Sequence, residues 1–519
     1  MGVAKVTVNN VVKVDLTSDT VAADKLVSDY TAHGADGEAI TGTYADSGGA
    51  VESDVNFYDY DGTLVKSYTA ADFASLTAFP ANPSHTGLTA QGWNWYLSDA
   101  KTYVATYGKL DIGQLYITDD AKTRFYITLS EPSQLGLGMN IAIKGRAFID
   151  WGDGSSIESM SASSLTSQFS MSHTYSNLGD YIISVWPDTT ANNEIGLCNT
   201  SDSLLFYNSD LSHTLSGSNV MRYCGILSIL NKIECGRIST FNSYALMYCS
   251  NLKSITMSNS VYVIDSYAFA ETGLEYIVIP WDVVFSEYSR RIFSNSYNLQ
   301  GISFSYFPDE VNVGLGMYFC EGCCSLKHIT IPHSCSYIDS YTFTQCRNLA
   351  YVVLPDSVTT ISTYMFSYCY SLKHIITHNL SINTIPSGFC REGKSLKSFV
   401  IPDSTLTLSS YAFTYNKFTH VTIPEGVVTI QNNAFESSNY LVYVSIPSTV
   451  TNIQAYSFGY CYTMQEIHFK GTTPPTISNS NAFTNLNTKC KIYVPTGSLS
   501  AYTGATNYPS SSTYTYIEE

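Results

Sequence analysis

The sequence predicts a mainly β, multidomain protein whose C-terminal part is a solenoid built on a parallel sheet. Two observations carry this. First, Phe269, Phe293, Phe319, Phe343, Phe366, Phe389, Phe413, Phe435, Phe458 and Phe483 recur every 22 to 26 residues, and Met221 and Leu246 extend the series upstream. A fixed period in the twenties belongs to stacked units that bury their apolar edges only against their neighbours. Second, each unit repeats one internal spacing, in which steps of three residues give way to a step of two.

The unit at Phe366 continues through Cys369, Leu372 and Ile375. Its counterparts read Leu246, Cys249, Leu252, Ile255, Met257 and Phe458, Cys461, Met464, Ile467, Phe469. Met221, Cys224, Leu227 and Leu230 fit as well, which starts the array near residue 215. Steps of three describe a tight turn, and the step of two describes a strand whose side chains alternate between faces. Ile-Pro or Leu-Pro pairs at 279–280, 331–332, 354–355, 401–402, 423–424 and 446–447 then end the strands, because proline has no N–H for a continuing ladder. Stacked copies are expected to form one parallel sheet.

These residues carry a resemblance. The pattern A-F-x-x-C-x-x-L-x-x-I-x-I-P, with Ala268-Phe269 and Ala434-Phe435 at its start, resembles the BspA-like leucine-rich repeat. Lys491-Ile492-Tyr493-Val494-Pro495-Thr496-Gly497, followed by Ala501-Tyr502, is similar to that family's closing unit. The stretch from Trp281 to Phe319 departs from the pattern and lacks the Ile-Pro ending.

Upstream the chain divides into smaller units. Residues 1–48 read as an attachment unit with a helix over 19–30, capped by Asp19 or Thr20. A hairpin follows over 31–44, turning at Asp36-Gly37. The run A-D-K-L-V-x-x-Y-T-A-H-x-x-D-G-E-x-I-T-G-T-Y there resembles a motif of bacteriophage tail and fibre proteins. Residues 49–115 read as a small α+β spacer, with a hairpin turning at Asp61-Gly62 and helices over 70–76 and 97–107. Asp59 and Asp61 lack the further acidic positions of a calcium loop, so a turn is expected. Residues 116–190 hold strands at 124–129, 147–151 and 181–186. Trp151-Gly152-Asp153-Gly154 and His173-Thr174-Tyr175 with Gly179-Asp180-Tyr181 resemble a polycystic-kidney-disease (PKD) type domain. That resemblance implies an immunoglobulin-like β-sandwich acting as a spacer or binding module, with His173 as a packed residue. Residues 191–519 form the solenoid and its cap.

A formal charge of −17 with only 26 basic residues argues against nucleic acid. The N-terminus has no long apolar run, so neither a secretory signal nor a membrane span is expected, and the chain is expected to be made in the cytoplasm. The 41 tyrosines, with abundant Ser and Asn, match the make-up of binding surfaces as well as of solenoid turns. Cysteines three residues after the anchor are expected to be small, buried, free thiols. Cys320, Cys323, Cys324 and Cys335 with His328 and His333 superficially suit zinc, but Cys324 and His328 fall in ordinary repeat sequence. No metal or other cofactor is expected. Hydrolase, metalloprotease and phosphate-loop motifs are all missing, so the chain is read as non-catalytic.

If the Leu and Ile anchors face inward, the residues two and four after each Leu face outward. The first of these columns includes Tyr276, His328, Tyr351, His374, His420 and Tyr443, and it is proposed as the ligand-binding face. The resemblances together imply a virion tail-tip or fibre protein, present in several copies. Its N-terminal unit would dock to other tail proteins, its middle domains would space it outward, and its solenoid would meet a bacterial surface polysaccharide or protein. The alternative is a BspA-like bacterial adhesin.

Overall fold

The computed structural model describes residues 54–519 apart from 166–167, 189–192, 198–205, 209–228, 281–282, 284, 286–288, 305–312 and 378, together with four short strands before residue 54. Contacts divide the chain into Met1–Asp54 and Val55–Glu519. In the first unit Lys5–Val8 pairs with Val11–Asp15, and Thr31–His33 pairs with Ala39–Thr41, both antiparallel. The second pairing flanks the expected turn at Asp36-Gly37. The first was not anticipated, although Val6, Val8, Val12 and Val14 alternate as a strand pair would. The helix expected over 19–30 lies outside the described residues, as do Met221 and Cys224.

In the second unit the repeats stack into a solenoid, but not on one sheet. Residues following the Leu position form one file of parallel strands in every described rung but that of Leu396, such as Tyr351–Val353 beside His374–Ile376 and Tyr443–Ile446 beside Glu466–Phe469. A second file, of mostly two-residue strands, runs through Thr384–Ile385, Thr407–Leu408, Thr429–Ile430, Asn452–Ile453 and Thr476–Ile477. Its signal was present in the sequence. Ile264, Ile338, Ile361, Leu408, Ile430 and Ile453 each stand five residues before an anchor Phe. The Phe ladder lies in the core between the files. Phe343 stacks on Phe366 at 5.7 Å, Phe435 on Phe458 at 5.3 Å and Phe458 on Phe483 at 5.4 Å.

The turn around each anchor is a third hydrogen-bonded file. Phe343 N donates to Met365 O (3.1 Å), Phe366 N to Phe389 O (2.8 Å) and Phe413 N to Ala434 O (2.8 Å). In most rungs this turn has left-handed backbone two residues before and two after the anchor; in the Phe319 and Phe389 rungs the two positions fall one residue later, at Tyr318 and Gly322 and at Gly388 and Glu392. Eleven tyrosines, among them Tyr318, Tyr341, Tyr364 and Tyr411, supply it with φ between 57° and 67°. Such φ values are uncommon outside Gly and carry strain. Ring stacking along the file offsets it: Tyr318 on Tyr341 at 4.8 Å and Tyr341 on Tyr364 at 5.1 Å. Much of the tyrosine content therefore serves the turns, not a binding surface.

The repeated cysteine is also more than an apolar filler. Cys369 Sγ donates to Phe343 O (3.1 Å), Cys461 Sγ to Phe435 O (3.3 Å) and Cys346 Sγ to Cys320 O (3.1 Å). Where the position is Ser or Asn, the bond persists, as Ser438 Oγ to Phe413 O and Asn416 Nδ2 to Cys390 O. In these five rungs the position holds a small donor aimed one rung upstream. The cysteines at these positions are free, and burial pushes the Cys461 thiol up to about 12. Cys369→Val is expected to lower stability by about 1 kcal/mol and Cys369→Ser by less, because only valine removes the second donor to Phe343 O, which keeps its bond from Cys346 N (3.1 Å); urea denaturation of both variants measures the difference.

Residues 123–197 are joined directly to this array. The 15-residue strand Gly136–Asp150 belongs to two ladders. One ladder passes through Gly179–Pro187 and Thr123–Leu129 to Leu230–Glu234 and then Ser254–Thr256. The other passes through Glu194–Leu197 to Ile238–Phe241 and then Val263–Ile264. Each continues into one file of the solenoid, and the apolar core is continuous from Phe125 to Tyr502. This region closes the end of the described array, as a solenoid needs at its open end, and shares the solenoid's apolar core. His173 packs as expected, stacked on Trp151 at 5.1 Å and hydrogen-bonded to Asp153 at 2.7 Å. At the far end Lys491–Val494 and Thr515–Glu518 extend the first file, and Tyr502 Oη closes on Gly471 O (2.6 Å).

Candidate functional site: the outward face of the first strand file

Residues 55–118 form a four-stranded sheet in the order Leu64–Tyr68, Val55–Tyr58, Leu110–Thr118, Leu88–Trp93, with two helices. The helices, Ala70–Ser75 and Leu97–Tyr107, fall where the sequence places them. Thr69 caps the first through Asp72 N, and Gly108, at φ 84°, ends the second. Asp59 and Asp61 shape the hairpin turn: Gly62 N donates to Asp59 O, and Thr63 N to Asp61 Oδ1.

This unit lies on the solenoid. Along Leu110–Thr118, Leu110 and Ile112 face the unit's own core, while Asp111, Gly113 and Leu115 face the rungs. Asp111 Oδ2 meets His328 Nδ1 at 2.6 Å, and Asp111 O accepts from Ser303 Oγ at 2.9 Å. Tyr58 is placed against two rungs, 5.0 Å from the Tyr276 ring and stacked on His328 at 5.5 Å. Gly301 between those rungs leaves room for them: a Cβ there would come within 2.7 Å of both the Tyr276 and His328 rings. Further along, Trp95 Nε1 donates to Phe304 O (3.0 Å), Lys109 Nζ lies 4.5 Å from the Tyr351 ring, and Asp356 N donates to Tyr107 Oη (3.0 Å).

The six residues proposed for ligand binding therefore divide into two groups. Tyr276, 3% exposed, is buried under this unit. Burial, with Asp111 close by, pushes its phenol well above the ordinary range. His328 is sealed beside it, and Tyr351 is covered by Lys109. These three contact another part of the same chain, so the column is not open along its whole length. The physical reason is the strand Leu110–Thr118, buried on both faces, whose Asp111 and Gly113 stand at alternate positions that read as solvent-facing but meet the rungs.

His374, His420 and Tyr443 lie beyond the unit's reach; His374 and His420 are exposed and Tyr443 is half-buried. The last residue packed against the unit is Ile376. From His420 the rings run on diagonally: to Tyr443 at 5.7 Å, to His468 at 4.8 Å and to Tyr493 at 4.2 Å. Neither His468 nor Tyr493 was among the residues chosen from sequence, because they sit in the second outward column. His468 is held from both sides, by Glu519 at 3.0 Å and Glu466 at 3.2 Å, and Lys470 Nζ reaches Glu519 Oε1 at 2.6 Å. Burial would raise the Glu519 carboxyl, but Lys470 and His468 outweigh it and hold the group below the usual carboxylate range. The result is a fixed run of flat rings, exposed at His420, half-buried at Tyr443 and Tyr493 and buried at His468, with charged groups at its C-terminal end.

Among the described residues, no group of three or more His, Cys, Asp or Glu side chains is placed to hold a metal ion, and no helix is long and apolar enough to cross a membrane. Cys320, Cys323 and Cys335 are buried in the core.

Comparison with curated proteins found no match. Among solved structures, the chain is similar to a leucine-rich cell surface protein from Faecalibacterium prausnitzii, at 24% identity over 48% of this chain and 60% of that one, with a TM-score of 0.29. It is also similar to a leucine-rich repeat protein from Bacteroides ovatus, at 20% identity over 44% and 70% of the two chains, TM-score 0.30. A third, from Eubacterium ventriosum, shares 17% identity over 48% and 80%, TM-score 0.28. Six copies of the BspA type leucine-rich repeat region match residues 198–300, 313–442 and 383–505, together more than half of the sequence. The chain belongs to the BspA type leucine-rich repeat family.

Proposed function

We propose that this protein is a non-catalytic recognition protein of the adhesin kind, which binds a bacterial or host surface polysaccharide or protein through the uncovered part of its outward strand face. The observation that supports this most is the division of that face. One half is used inside the chain, where aromatic and imidazole rings take Tyr58 between them. The other half presents the same ring types, His420, Tyr443 and Tyr493, with no part of the described chain covering them. Repetition along the solenoid lays these rings out on a rigid surface, and several copies on one particle or cell would raise avidity without new contacts. Replacing His420, Tyr443 and Tyr493 together by Ala is expected to reduce adsorption to target cells at least tenfold with the fold intact. Adsorption equal to that of the parent protein would exclude this face.

A second reading is favoured by the run from Ala23 to Tyr44, which resembles phage tail and fibre sequence. On it the N-terminal unit docks to other tail proteins, the region over 116–190 is a PKD-like sandwich, and the protein resides in the virion tail. Mass spectrometry of purified phage particles decides this: peptides of this chain present at structural stoichiometry support it, and their absence removes it.

A further inference from the structure

The first strand file is interrupted once in its uncovered part. His374–Ile376 pairs only with the strand before it, and His420–Thr422 pairs only with the strand after it. The rung between them, residues 397–401, forms no strand. Among the described residues, none of its backbone groups makes a hydrogen bond to either neighbour. Lys397 and Ser398 are exposed, and Val400 is 79% exposed, beyond any other large apolar side chain of the described chain.

The cause lies in one core position. Three residues after the Leu anchor the rungs carry Ile255, Ile277, Ile302, Ile329, Val352, Ile375, Val421, Val444 and Ile467. This rung alone carries an aromatic there, Phe399, which is only half-buried between Phe389 at 5.4 Å and Phe413 at 5.7 Å. Rings at other positions, such as Phe418 and Phe469, do reach full depth beside the ladder, but at this position the ring meets ladder rings on both sides and stays half-buried, and overpacking is relieved by backbone displacement. The rung stands out of register, and its N–H and C=O groups are left to water. Buried ladder groups elsewhere are paired, so the unpaired set is concentrated here.

We propose that this open rung, flanked by His374 and His420 with Tyr443 one rung beyond, is a subsite for a neutral pyranose chain. The inference rests on the adhesin reading and names the ligand class of its surface. Three observations favour a sugar. The ring column accepts a flat partner face-on, as Tyr58 shows on His328 and Tyr276 in the continuous, covered half of the same face. The unladdered backbone offers donors and acceptors that hydroxyl groups can use and that an apolar protein surface would leave unsatisfied. The floor is polar, with Ser398, Thr422 and the exposed Lys397, and Val400 is its one large apolar projection. The covered half of the face differs in each of the last two respects: its rungs are ladder-paired, and its partner brings Leu115 onto Tyr276 and Val278.

The test uses the full chain, an array of bacterial surface polysaccharides, and calorimetric titration with chitotetraose, cellotetraose and mannotetraose. Two variants accompany it. His420→Ala removes a ring, and Phe399→Ile supplies the side chain that pairs normally in other rungs. The expected result is binding of at least one saccharide by the parent protein, weakened at least tenfold by His420→Ala. Phe399→Ile is expected to weaken binding at least fivefold while amide exchange slows at residues 397–401. Saccharide binding unchanged in both variants overturns the subsite. Cell adsorption without binding to any saccharide overturns the ligand class in favour of a protein partner and leaves the adhesin reading standing. Failure of the parent protein to adsorb to cells, with saccharide binding intact, overturns the adhesin reading alone.

Discussion

Phe366→Ala is expected to destabilise the protein by about 3–5 kcal/mol, the range for truncating a fully buried aromatic. Phe366 is completely buried, stacked on Phe343 at 5.7 Å and edge-on to Phe389 at 5.6 Å. Its own N–H bonds to Phe389 O across the next rung, so the cavity opens where three rungs meet. In a solenoid each unit is held only by its neighbours, and a weak middle unit uncouples the two ends. The denaturant transition should therefore move to lower concentration and broaden, and amide exchange should quicken first in Tyr351–Val353 and His374–Ile376. A shift of less than about 1 kcal/mol with an unbroadened transition would mean that the Phe file is not the element that couples the rungs.

Gly113→Val is expected to lift residues 55–118 from the strand face and to cost about 1–3 kcal/mol, as overpacking does in a close-fitting interior. A Cβ at Gly113 would lie 2.5 Å from Val278 Cγ2 and 2.7 Å from its Cγ1. Val278 is itself buried and has nowhere to turn. The reporter is Trp95, whose indole N–H bonds to Phe304 O across the same seam. Its fluorescence should shift to the red, and Tyr276–Ile279 should lose protection from exchange. The solenoid core itself should stay folded, because its own contacts do not pass through Gly113. If Trp95 keeps its emission and Tyr276 its protection, the seam does not depend on this close approach.

How far the sequence could be read follows from the range of the contacts involved. The rungs were legible because each anchor touches its counterpart 22 to 26 residues away, and that interval stands in the sequence as a period. The strand after each Leu was legible from its step of two and its terminal proline. The second file was present in Ile338, Ile361 and Ile430 but went unread, because two-residue strands leave no alternation to count. The tyrosines misled: their number resembles a binding surface, yet at Tyr341 and Tyr364 it reflects a left-handed turn and a stacked file. The cysteine column was read as size alone, because a thiol acts as a donor only once folding brings a carbonyl within its reach, as at Cys369.

The candidate site shows the division most clearly. Sequence alone determined that Tyr276, His328, Tyr351, His374, His420 and Tyr443 occupy one outward column, because the repeat sets side-chain direction rung by rung. It could not separate the first three from the last three, whose local patterns are alike. Only the tertiary structure decided which of them meet water. Pairs such as Asp111 and Ser303, or Trp95 and Phe304, stand about two hundred residues apart and follow no period, and burial is a property of what lies on top of a residue, which no local pattern encodes.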